Sequence, residues 1–150
     1  MGALFDDLKA FFARMGWPVN PLEGQPVLSF SYQGRNGQWV FIATVNEETR
    51  VVTMLSRAPF ACPPERLPAV SELVLRANFG MSYGALDLDH DDGEIRFRTG
   101  VDLTGVQPVD ENLAALARYN VLTMDVYLPA LKAVIEGTKS PEDALAGAFE

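Results

Sequence analysis

The chain has 150 residues, 48% of them apolar, and a formal charge of −8. A chain of this length buries about 70% of its unfolded surface as one domain, and the apolar content excludes disorder. Its three lysines, Lys9, Lys132 and Lys139, lie far apart, which argues against nucleic acid or an anionic membrane as a direct partner, since both need clustered cations.

Residues 3–15 are predicted to form a helix. Leu4, Leu8, Phe11 and Met15 recur at helical spacing, Phe5 and Phe12 widen the stripe, and Gly16 stops it. The stripe fits a core-facing helix, or a detachable amphipathic segment for a partner's groove. No secretory signal is expected here: a basic leader is missing, and Asp6, Asp7 and Lys9 interrupt the apolar run. With no long apolar span either, a cytoplasmic chain is expected.

Residues 26–33 alternate as a half-buried strand, with Leu28, Phe30 and Tyr32 on one face. Asn36-Gly37 then signals a tight two-residue hairpin turn. That turn would place Arg35 opposite Gln38, Tyr32 opposite Phe41 and Phe30 opposite Ala43. Residues 38–46 are apolar on both faces, which predicts a strand covered on both sides. A third strand follows over 50–56.

Pro63-Pro64-Glu65 opens a second helix, with Pro68 tolerated only in a first turn, and Gly80 ends it. Val70, Leu73, Val74 and Ala77 form its apolar face. Gly80 and Gly84 read as a helix stop and a strand start. Residues 84–103 return to strand. Residues 108–136 make a long helix that should bend near Asp125, whose carbonyl loses its donor at Pro129. Ser140 caps a short last helix, with Pro141 at its first position. The order α-β-β-β-α-β-β-α, plus the short C-terminal helix, with short turns between successive strands, predicts an antiparallel sheet and an α+β class.

The acidic stretch from Asp87 to Asp92 invites a chemical reading. A calcium loop starting at Asp87 fails, because Asp92 stands where glycine is needed and Arg98 where the bidentate glutamate belongs. A hairpin fits better. With Asp92-Gly93 as a two-residue turn, Asp89 faces Arg96 and Asp87 faces Arg98, while Leu86, Leu88, Ile95 and Phe97 share the other face. The carboxylates then serve as structural ion pairs. The alternatives are a metal-binding or small-molecule sensor, or a hydrolase using Asp87, Asp89 and Asp91.

Other chemistry has little to build on. His90 is the only histidine and Cys62 the only cysteine, so zinc would need an unusual carboxylate-rich ligand set. One cysteine also excludes an internal disulfide, and Cys62 reads as a small, partly buried filler. A serine triad could use only His90, and nucleophile-elbow and glycine-rich phosphate motifs are lacking. No catalytic, cofactor-binding or metal-binding residue is assigned. Asn78 reads as punctuation at a helix end, and Asn120 has no explanation at this level.

The phrases "LVLRANFGMSYGALDLDHDDGEIRFRTGVDLTG" (73–105) and "MDVYLPALKAVIEGTKSPEDAL" (124–145) resemble the YbjN-like family of bacterial sensory-transduction regulators. The resemblance covers most of the chain and implies a single YbjN-like domain over 1–150 with a type III secretion chaperone-like fold. It further implies a non-enzymatic homodimer that binds protein segments, chaperone-like or regulatory. In chaperones of that fold the second helix commonly makes the dimer interface. Carried over, this points to Val70, Leu73, Val74 and Ala77 as a dimer or partner face, although their spacing supports burial in the chain's own core equally well.

Overall fold

The computed structural model describes residues 2–149. Its elements are α1 (Ala3–Met15), β1 (Asn20–Pro21), β2 (Val27–Gln33), β3 (Gln38–Asn46), β4 (Val51–Arg57), α2 (Leu67–Phe79), β5 (Ala85–Leu88), β6 (Ile95–Asp102), α3 (Asp110–Glu136) and α4 (Pro141–Gly147). A 3-10 turn at Pro64–Arg66 leads into α2, so that Pro68 falls in the first turn, where a missing N–H costs no helical bond. The strands form one antiparallel sheet in the order β1-β2-β3-β4-β6-β5. This is the expected α+β arrangement, with the two-residue strand β1 added.

The helices pack on one face of the sheet. Trp39, Phe41, Ala43 and Val45 of β3 are buried there, and Phe12 of α1 meets Phe41 edge to face. Val40, Ile42 and Thr44, on the opposite face, are only half-buried. The expectation of a strand covered on both sides is therefore corrected: among the described residues no helix lies over the outer face.

Polar contacts fix how the helices sit. Glu47, in the turn after β3, accepts from Leu4 N at 3.2 Å and Phe5 N at 2.8 Å, placing a carboxylate on the N-terminus of α1. Arg66 donates Nε and Nη2 to the carbonyl of Val134, tying the start of α2 to the end of α3. Asn120, fully buried, joins the middle of α3 to the sheet. It accepts from Ser56 Oγ at 2.6 Å and donates to Met54 O, Phe97 O and Thr99 Oγ1.

The first hairpin differs from expectation in register. Gln33 pairs with Gln38, Tyr32 with Trp39 and Phe30 with Phe41. The turn is centred on Arg35-Asn36, closed by Gly34 N donating to Gly37 O at 2.8 Å, and not on Asn36-Gly37. The amides of its two central residues bond to α3. Arg35 N and Asn36 N each donate at 2.8 Å to the Asp125 carboxylate, and Asn36 Nδ2 donates at 2.9 Å to the Asp125 carbonyl. That carbonyl is the one Pro129 leaves without a helical donor, and α3 runs through Pro129 without a break. Gly34 is required by proximity, since a Cβ there would meet the Trp39 ring at 2.6 Å and Asp125 Oδ1 at 2.7 Å.

Replacing Asn120 with alanine would leave the Ser56 hydroxyl buried without its acceptor. We expect Asn120→Ala to cost about 2–3 kcal/mol in urea unfolding. A loss within error of zero would show that the network confers no net stability.

Candidate functional site

The acidic hairpin closes on itself. Its observed register pairs Leu88 with Ile95 and Asp87 with Arg96, two residues away from the tight-turn register. Asp87 takes both arginines, with Arg96 Nε at 3.1 Å and Arg98 Nε at 3.0 Å from the same oxygen. The hydrogen bond from Arg98 to Asp87 holds the guanidinium above its ordinary pKa. The expected pairing of Asp89 with Arg96 is corrected. Asp89 Oδ1 instead accepts from Asp91 N, and Asp92 Oδ1 from Glu94 N, so two of the acidic side chains build the loop. Gly93 (φ 78°) adopts a left-handed conformation, and a Cβ there would run into the Cys62 carbonyl oxygen. Among the described residues, no three His, Cys, Asp or Glu side chains are grouped to hold a metal ion.

His90 and Cys62 follow the same pattern. His90 Nε2 lies 2.9 Å from Ser71 Oγ in an exposed position, and among the described residues no carboxylate bonds its other ring nitrogen. The pair lacks the third group that would orient a general base. Burial pushes the Cys62 thiol up, away from the thiolate that a nucleophile needs.

On helix α2, Val70, Leu73, Val74 and Ala77 are buried in the chain's own core, the burial that their spacing also allows. The face that α2 turns to solvent carries Leu75, 71% exposed, and Phe79, 95% exposed. They are four positions apart and therefore adjacent on the helix. Their spacing is readable in the sequence, but both fall outside the core stripe. Tyr83, in the loop after α2, stacks on Tyr119 of α3 at 4.2 Å.

The sheet edge next to α2 is closed at Leu86. Asn78 donates from Nδ2 to Leu86 O at 2.9 Å and accepts from Leu86 N at 2.8 Å, standing in for a neighbouring strand along β5. Asn78 thus caps a strand, whereas the sequence suggests helix-end punctuation. A partner at this side of the molecule would meet an apolar helix face, not a free strand edge.

A second apolar surface lies on α3. Leu122, Val126, Pro129 and Ala130 floor an open groove of about 820 Å³ between the Gly34–Gly37 loop and α4. Among the described residues, no helix is long and apolar enough to cross a membrane.

Comparison with known proteins agrees with this architecture. Residues 5–133 match the YbjN family, described as "Putative bacterial sensory transduction regulator". The crystal structure of the ExsC–ExsE complex contains a chain of the same fold, with TM-score 0.59 and 12% identity over 85% of this chain and 92% of that chain. YbjN from E. coli gives TM-score 0.63 and 14% identity, over 86% of this chain and 89% of that chain. The fold is therefore type III secretion chaperone-like. No curated protein matches the sequence.

The observed register makes two predictions for the acidic hairpin. A double-mutant cycle on Asp87 and Arg98 should couple by roughly 0.2–1 kcal/mol, since both side chains are partly exposed, whereas a cycle on Asp89 and Arg96 should give no coupling. The opposite result would restore the tighter turn. Millimolar calcium, magnesium, manganese or zinc should leave the melting midpoint unchanged, and an upward shift with any of them would reopen the cation reading.

Proposed function

We propose that this chain, which belongs to the YbjN family, is a non-enzymatic chaperone-like or regulatory module that binds protein and works as a homodimer through α2. The observation that carries the reading is the pair Leu75 and Phe79, one helical turn apart and almost fully in water. The apolar positions on the other side of the same helix already saturate the core. A phenylalanine left this exposed forgoes about 1.5–3 kcal/mol of burial, which a contact between molecules would recover. Aromatic anchors at the centre of an interface commonly dominate its energy.

A second copy is the simplest occupant. An isologous contact brings the same patch from both chains together, so one short stripe supplies both halves of the interface. The Glu72–Arg76 ion pair flanks the stripe on the same helix and would form its polar rim. The fold supports the wider reading, since ExsC was crystallised with a protein partner, ExsE. A cytoplasmic location suits such a module. The metal and hydrolase readings have less support, because Asp87, Asp89 and Asp92 already accept hydrogen bonds from arginines or from loop amides.

Light scattering at micromolar concentration should report twice the 16.4 kDa chain mass. Leu75→Asp with Phe79→Asp should weaken the dimer by at least about 30-fold, the loss of one anchor of about 2 kcal/mol, with an unchanged melting profile for the fold. A wild-type monomer, or a variant that dimerises as tightly as the wild type, would overturn this reading.

A further inference from the structure

Helix α3 has a second apolar stripe turned away from the sheet. Leu122, Val126 and Pro129 are spaced four and three apart, and one face of a helix collects them. Leu122 is 58% exposed. Two walls rise beside this stripe. One is the Gly34–Gly37 loop, held by Asp125. The other is α4 with Phe149, which is 72% exposed and sets its ring edge-on to Tyr127 at 5.7 Å. The family match ends at residue 133, before α4.

Among the described residues, the exposed charged side chains lining the groove are cationic. Arg35 and Lys139 line it, and neither forms an ion pair among the described residues. Asp125, the carboxylate in the lining, is 7% exposed and already accepts from Arg35 N and Asn36 N. The chain as a whole carries −8. At physiological salt, charges more than about 8 Å away are largely screened, so Arg35 and Lys139, offset in part by Asp125, leave the groove net positive.

We infer that this groove docks an amphipathic segment of a partner protein whose apolar side chains are flanked by carboxylates. A small-molecule site buries about 70–90% of its ligand, which an open trough floored by a half-exposed leucine does not do. A helix laid along α3 would cover the stripe and place its acidic positions beside Arg35 and Lys139. This surface is separate from Leu75 and Phe79, so the inference holds whether or not α2 makes a dimer.

The test uses two labelled synthetic amphipathic helices with one apolar face and either glutamates or lysines on the polar face. Fluorescence anisotropy with the full chain should show the glutamate peptide binding at least about tenfold tighter. Arg35→Glu with Lys139→Glu should invert that preference, and Leu122→Asp should abolish binding of both peptides. Thermal melting and light scattering on each variant separate a lost site from a lost fold or dimer. Absence of binding, equal binding of the two peptides, or a charge-reversed variant that still prefers glutamate would overturn the inference. The surface charge reversal remains informative even if Leu122→Asp fails to fold.

Discussion

Pro129 leaves the carbonyl of Asp125 without a helical donor, and the Gly34–Gly37 loop supplies the replacement. The same loop gives two backbone amides to the Asp125 carboxylate, so three hydrogen bonds converge on one residue of α3. Hydrogen bonds to a charged group contribute more than neutral ones, about 1.5–3 kcal/mol each. This contact and the Asn120 network fix α3 at two points on the sheet. Its rotation is thereby set: Met124, Leu128 and Leu131 point inward, while Leu122 and Val126 line the groove. The apolar surface on the far side of α3 follows from polar contacts that orient the near side.

Much of the fold is legible in the sequence because local signals agree with one another. Gly16, Gly80, Gly137, Ser140 and Pro141 bracket the helices where the structure places their ends. Hairpin register is less legible, and both errors share a cause. Asn-Gly and Asp-Gly signal a tight turn at those residues, but tertiary and side-chain contacts claim nearby amides and move or lengthen it. Gly34, whose N–H donates to Gly37 O, encloses Arg35-Asn36, one position early, and Asp89, whose N–H donates to Glu94 O, encloses four residues. A shift of two residues preserves which face each side chain occupies. The apolar face of each hairpin is therefore right although its cross-strand partners are wrong.

The charged and apolar residues divide their roles differently from what the sequence suggests. The acidic run, conspicuous in sequence, is consumed by local structure: Asp87 by two arginines, Asp89 and Asp92 by their own loop. Asn120, which the sequence leaves without a role, is buried at the centre of the molecule. Leu75, Phe79 and Leu122 do not stand out in sequence because a scattered exposed leucine is ordinary. Only the structure shows which of them sit beside another apolar group, and where a backbone wall turns a stripe into a groove.

Asn78 has a consequence for how copies of this chain could associate. Its amide holds both polar groups of Leu86, whereas β1 shields only Leu28 and Ser29 of the opposite outer strand, β2. A neighbouring strand laid along β5 would have to displace the Asn78 amide from Leu86 before it could pair there, so one side chain makes this edge the costlier place for two molecules to join their sheets.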